Sequence, residues 1–230
     1  RRQADLGRRH AALRLLDQVQ DLTQHAPRRM SEVRGTAGYG ANAGALAQQY
    51  ESLRFEDVHR EVLHLFPSTP GRVLDIGAGS GRDAAALAAL GHRVVAVEPT
   101  PELRAEGMRR HAALPIEWID DHLPGLARTL ALGVRHDLIL LTAVWMHLDA
   151  AERAAAMEAL AGLVAEGGQV AMSLRHGPVP EGRRMFEVSA PETIELAARH
   201  GLLPRFLGER EDMLGRADVR WSFLVLQRPG

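Results

Sequence analysis

Two carboxylates follow or lie within apolar segments, where they could bind a small ligand. Asp75 lies in residues 73–84 (VLDIGAGSGRDA), two residues before the first of three glycines at alternate positions, and Glu98 ends residues 92–98 (HRVVAVE). Glycine reaches positive φ without a Cβ penalty and lets a ligand lie against the backbone. Glu98 follows the glycines by about 20 residues, the spacing of an acid that accepts from ribose hydroxyls. These residues predict a site for a small, adenosine-like ligand.

A strand, a tight turn and a helix must position these groups. The apolar residues before the glycines predict a strand, and the alanine- and leucine-rich residues 83–90 predict a helix. The free N–H groups at the start of such a helix face the ligand crevice. The second apolar segment predicts the next strand of a βαβ unit.

The glycine spacing separates two classes of ligand. Dinucleotide enzymes use G-x-G-x-x-G, whereas the residue three after Gly79 is Arg82. Read as D-x-G-x-G-x-G, residues 75–81 resemble motif I of the class I S-adenosylmethionine-dependent methyltransferases, and roughly residues 50–227 are similar to bacterial members that act on small molecules. A nicotinamide-dependent oxidoreductase of Rossmann type is the alternative, because those enzymes also place an acid like Glu98.

The resemblance implies S-adenosyl-L-methionine as cofactor, S-adenosyl-L-homocysteine as product, and a set of binding residues. In the family an acid after the third strand binds the adenine amino group, and both Asp120 and Asp121 follow the predicted strand 116–119. An aromatic residue before the first strand often covers the cofactor, and Tyr50 is the candidate. Arg54 could bind the cofactor's carboxylate through its guanidinium. The competing interpretation is that Tyr50 is a core residue and Arg54 a surface residue. The candidate cofactor residues are Tyr50, Arg54, Asp75, Gly77, Gly79, Gly81, Glu98, Asp120, Asp121 and Thr142.

The implied fold is α/β: a doubly wound, Rossmann-like, seven-stranded sheet of order 3-2-1-4-5-7-6 with an antiparallel last strand and an N-terminal helical extension. Further strands are predicted at 138–142, 169–174, 202–207 and 221–227. Capped helices are predicted after Thr100, Asp149 and Ser189. A helix is also predicted over 46–65. We expect residues 1–48 to form a helix and a glycine-rich linker or lid, and residues 49–230 to form the methyltransferase domain.

Two histidines are candidate catalytic residues. His147 follows the fourth predicted strand and His176 follows the fifth, and an imidazole titrates near neutral pH and can act as a base. In the family a histidine at the position of His147 often fixes the loop instead. Together with Asp149 these histidines imitate an iron-binding triad, but Asp149 is required as a helix cap, so we predict no metal site.

The amino-acid composition argues against several classes of binding partner. The chain of 230 residues has no cysteine, which excludes disulfides and thiolate catalysis. Its net charge of −1 argues against nucleic acid as a partner. No apolar run is long enough for a membrane span or resembles a signal peptide, so we expect a cytoplasmic enzyme without a membrane partner, either monomer or homodimer. Residues 1–30 predict a basic amphipathic helix that packs on the domain or a partner, or acts as a membrane or nucleic-acid arm.

The expected reaction is methyl transfer to oxygen, nitrogen or a carboxylate of a small molecule. Such a displacement requires alignment, and it requires a base only when the acceptor atom carries a proton. The cationic cluster Arg175, His176, Arg183 and Arg184 suits an anionic acceptor. The same residues are compatible with a macromolecule-directed methyltransferase or with a cofactor-binding protein without turnover. The acceptor itself cannot be identified from these residues.

Overall fold

A computed structural model of the chain describes residues 33–36 and 38–230. The helix predicted for residues 1–30 lies outside the described residues. In the described part, no helix is long and apolar enough to cross a membrane.

The central feature is a seven-stranded sheet of order β3-β2-β1-β4-β5-β7-β6. Its first five strands run parallel, β7 is antiparallel to β5, and β6 pairs antiparallel with β7. The predicted fold class and strand order are therefore confirmed. The strands are β1 (Arg72–Ile76), β2 (Arg93–Val97), β3 (Ile116–Ile119), β4 (His136–Leu141), β5 (Val164–His176), β6 (Leu203–Glu211) and β7 (Arg220–Gln227).

Helices cover both faces of the sheet. Alternate residues of the central strands enter two apolar clusters, as Leu138 and Ile139 of β4 show, because successive side chains of a strand point to opposite faces. One cluster is closed by α6 and α7, the other by α2 and α3. The helices are α1 (Ala43–Glu51), α2 (Phe55–Val58), α3 (Arg82–Ala89), α4 (Pro101–Arg110), α5 (Ala127–Ala131), α6 (Ala150–Leu163) and α7 (Ala190–Ala198).

The prediction of a single helix over 46–65 is wrong. The structure has α1, then α2, then a 3-10 turn at Leu63–Leu65. Ser52 Oγ donates to the Gln49 carbonyl at 2.7 Å, and Arg54 is extended with ψ 143°. This break turns the chain so that Phe55 is buried in the second apolar cluster. Helical spacing could not reveal it, because both segments keep an apolar face.

Part of the predicted linker is also ordered. A 3-10 turn spans Gly40–Asn42, and α1 begins directly after it at Ala43. Ala43 and Ala47 are buried against Leu103 of α4. Small residues allow this close approach of two helices, which a count of glycines does not indicate.

The predicted caps are confirmed in position. Asp149 and Glu152 form a reciprocal capping box at α6, and Ser189 Oγ accepts from the Glu192 N–H at α7. Thr100 precedes α4 without a side-chain cap bond.

Candidate functional site

The glycine loop, residues 77–81, joins β1 to α3 at the carboxyl edge of the sheet. Its three glycines have φ of +71°, +58° and +87°. A Cβ on Gly77 would lie 2.5 Å from Val144 Cγ2, and one on Gly79 would lie 3.3 Å from the Tyr50 ring. Glycine is therefore required both by backbone conformation and by close packing. The loop can present backbone, without side chains, to a ligand.

Asp75 is buried on β1 just before this loop. It accepts the Ala84 N–H of α3, and its Oδ2 is buried without a partner among the described residues. Burial first, and then the neighbouring Asp83 carboxylate, raise the pKa of Asp75 well above its usual range. An orphaned buried oxygen of this kind is suited to a polar ligand.

Asp83, which sequence reasoning missed, is the most connected carboxylate below the loop. Its oxygens accept from Arg82 Nε at 2.7 Å, His59 Nε2 at 2.8 Å and Thr142 Oγ1 at 2.8 Å. Burial alone would raise the pKa of Asp83, but Arg82 and His59 outweigh it and lower that pKa. Thr142, a candidate cofactor residue, thus ties the end of β4 to α3. The sequence signal was the acid just after the last glycine.

Glu98, directly after β2, lies against the glycine loop. Its Oε2 accepts the Gly79 N–H and its Oε1 accepts the Thr100 N–H, both at 2.8 Å. Burial raises the pKa of Glu98, against the effect of these N–H donors. Each carboxylate oxygen has two lone-pair sites, so each can accept a further hydroxyl.

The structure separates the two aspartates that the sequence left open. Asp121 is buried: Oδ2 accepts from the N–H and Oγ1 of Thr129 at 2.8 Å each, and Oδ1 accepts the His122 N–H at 2.9 Å. It therefore holds the start of α5. Asp120 keeps a partly exposed carboxylate that pairs with Arg104 at 3.3 Å and with Arg128 at 3.7 Å.

Helix α1 clamps the glycine loop from outside. Tyr50 lies over Gly79, Glu51 accepts from Ser80 Oγ at 2.7 Å, and Arg82 Nη1 donates to the Tyr50 carbonyl at 3.4 Å. Tyr50, which we predict to cover the cofactor, therefore lies beside the glycine loop. Arg54 is not near it in any described contact: its side chain is 74% exposed and pairs with Glu56 at 3.4 Å. The arginine that contacts this region is Arg82, the first residue of α3, whose side chain is mostly buried and which was not among the predicted site residues.

His147 is buried in the segment after β4 and has both ring nitrogens engaged. Nδ1 lies 2.8 Å from the Arg184 carbonyl, so Nδ1–H donates; Nε2 lies 3.0 Å from Tyr39 Oη and accepts from it. Burial holds the pKa of His147 below its ordinary value, and Arg183 lowers it further. The neutral imidazole therefore joins the Tyr39 segment to the segment after β4.

The residues of the predicted cationic cluster bind different groups of the protein. His176 Nε2 lies 2.7 Å from Ser222 Oγ on β7, and no described contact joins it to His147. Arg184 pairs with Glu152 at 2.8 Å and Asp149 at 3.1 Å. Arg184 is thus a structural brace on the capping box of α6, whereas Arg175 donates to the Gly177 carbonyl at 3.3 Å.

Comparison with known proteins identifies a methyltransferase domain in this chain. A family described as a methyltransferase domain matches residues 50–205, more than half of the chain. A stretch of 49 residues is 55% identical to protein-L-isoaspartate O-methyltransferase of Chlorobium limicola, but the stretch spans only 20% of this chain and 23% of that protein.

Solved structures share the fold over most of the chain. The 1,6-didemethyltoxoflavin-N1-methyltransferase of Burkholderia thailandensis is 22% identical with a TM-score of 0.59, over 84% of this chain and 92% of that one. The magnesium protoporphyrin IX methyltransferase of Synechocystis is 15% identical with a TM-score of 0.62, over 84% and 97%. At these identities the likeness shows the fold alone. With the family match and the glycine-loop geometry, it establishes that the chain belongs to the class I S-adenosylmethionine-dependent methyltransferase family.

Proposed function

We propose that this protein transfers a methyl group from S-adenosylmethionine to an oxygen, nitrogen or carboxylate of a small molecule. The observation that supports the proposal is the hydrogen bond from the Gly79 N–H to Glu98, which holds a carboxylate suited to ribose hydroxyls against a loop of positive-φ glycines. The family match over residues 50–205 supports it over the nicotinamide alternative.

The residues present fit this cofactor. Glu98 has free lone pairs for ribose hydroxyls, and Asp75 Oδ2 is a buried oxygen without a described partner, suited to an ammonium or its water. Asp120 is the partly exposed acid available to the adenine amino group, since Asp121 is committed to Thr129. When bound, the cofactor supplies an activated methyl on a sulfonium.

The protein's own part is alignment and exclusion of water. Tyr50 covers the glycine loop, and the Tyr39–His147 hydrogen bond fastens the preceding segment beside it. We assign His147 a positioning role, because both its nitrogens are occupied and its pKa is lowered. His176, bonded to Ser222, lies at the end of β5 and remains the second candidate base.

Calorimetry with S-adenosylhomocysteine tests the site. Glu98→Gln and Asp75→Asn should each weaken binding about tenfold to a hundredfold, the range for a lost hydrogen bond to a charged group. Glu117→Gln, an exposed acid on β3, is the matched control and should leave affinity unchanged. Urea unfolding of each variant separates loss of binding from loss of folding. Normal binding by both site variants, or tight binding of NAD by the wild type, would refute the assignment.

A further inference from the structure

Arg175, near the end of β5, is a buried cation without an anionic partner. It is 8% exposed, its Nε is buried without a hydrogen bond in the described structure, and Nη1 makes one long bond of 3.3 Å to the Gly177 carbonyl. In the described residues, no carboxylate pairs with its guanidinium. Burying an unpaired charge is unfavourable unless a ligand of opposite sign compensates it.

Asp212, the carboxylate whose charge acts on Arg175, is already hydrogen-bonded to other groups. Asp212 accepts from Arg216 Nη2 at 2.6 Å and Nε at 3.0 Å, and from Trp221 Nε1 at 2.9 Å. Burial would raise the pKa of Asp212, but these donors overcome it and lower that pKa. Asp212 is therefore not available as an ion-pair partner for Arg175.

Arg175 lies near the carboxyl end of β5, at the same edge of the parallel sheet as the glycine loop that follows β1. Side chains two apart on a strand share a face, and Ser173 on that face accepts the Ala143 N–H directly after β4 at 2.9 Å. The positive charge of Arg175 acts to lower the pKa of both Tyr39 and His147. A second guanidinium, that of Arg183, lies 3.7 Å from the Tyr39 ring centroid.

The cofactor's own carboxylate is a less suitable partner. The glycine loop follows β1, and β4 separates β1 from β5 in the sheet. Two strand spacings of about 4.8 Å each therefore lie between the strand that carries the loop and the strand that carries Arg175.

We propose that Arg175 anchors an anionic group, a carboxylate or a phosphate, of the methyl acceptor. This inference rests on the proposed methyl-transfer function and names the class of its substrate. A guanidinium presents paired N–H donors that match both anions. The anchored anion is not the methylated atom, because the positive charge of the guanidinium lowers the nucleophilicity of the oxygens that pair with it. The methyl goes to another nucleophile of the same molecule.

The test uses protein saturated with S-adenosylhomocysteine and pairs of probes that differ in charge: benzoate against benzamide, and phenyl phosphate against phenol. The wild type should bind at least one anion about tenfold to a hundredfold more tightly than its neutral counterpart. The pair that shows the preference identifies carboxylate or phosphate. Arg175→Gln should abolish the preference, and Arg205→Gln, an exposed arginine on β6, should retain it.

Two further readouts keep the outcomes distinct. Arg175→Gln should not lower the melting temperature of the free protein, because it removes an uncompensated charge; a clear decrease would show a structural role and overturn the proposal. Arg175→Lys should keep part of the preference, because the ammonium retains the positive charge. A preference that survives in Arg175→Gln, or loss of S-adenosylhomocysteine affinity in that variant, also overturns the proposal. Failure of the wild type to bind S-adenosylhomocysteine would instead refute the proposed function.

Discussion

Replacement of Asp83 by asparagine should destabilise the protein far more than loss of a surface charge. Asp83 is buried with His59 at 2.8 Å, and it also accepts from Arg82 and Thr142. The side chains of His59 and Asp83 are only 5% and 4% exposed, so neither is compensated by water when the other changes. Removing one partner of a buried charge pair costs about 3–5 kcal/mol, and we expect that loss in the free energy of unfolding.

The pH dependence gives this prediction a second check. The pKa of Asp83 is lowered in the folded protein, so its contribution is present above the unfolded value of about 3.9 and is lost as pH falls through the folded value. The difference between wild type and Asp83→Asn should thus stay constant between about pH 5 and 8 and shrink in stronger acid.

Urea unfolding followed by circular dichroism measures the effect. Glu195→Gln is the control, because Glu195 pairs with Arg199 at 2.7 Å and both side chains are largely exposed; we expect a change below about 0.5 kcal/mol there. Asp83→Asn should also weaken binding of S-adenosylhomocysteine, since the network ties α3 to the end of β4. A loss of less than about 1 kcal/mol would refute our account of the buried network.

Three further tests address the site and the fold. Asp120→Ala should weaken S-adenosylhomocysteine binding about tenfold by calorimetry, whereas Asp121→Ala should lower stability by about 1–3 kcal/mol in urea unfolding; the reverse result would exchange their roles. Gly77→Ala should cost about 2–4 kcal/mol from positive φ and overpacking, and added Val144→Ala should recover only the packing part; full recovery would exclude backbone strain. Burial lowers the pKa of His136, so the stability of the protein should fall as pH drops through about 6.5, the pKa of an unfolded histidine. His136→Phe should flatten part of this dependence of the unfolding midpoint on pH, measured from pH 8 to 5. An unchanged slope would contradict this.

Local patterns determined most of the fold. The strand over Ile116–Ile119, the caps at Asp149 and Ser189, and the glycine turn follow from residue types within a few positions of one another. The position of Glu98 was also readable, because a βαβ unit fixes the distance from the turn to the next strand's end. The strand order came from the family resemblance. Helical periodicity failed at Ser52, where one side-chain hydrogen bond ends α1.

Only the tertiary structure decided which polar groups remain available. Asp120 and Asp121 are identical in type and adjacent, yet Asp121 is consumed by Thr129 and Asp120 is not. His147 meets Tyr39 across 108 positions of sequence, and Arg175 is identified by the partner it lacks. A sequence specifies which donors and acceptors exist, whereas burial and long-range packing determine which of them are satisfied by the protein and which are left for a ligand.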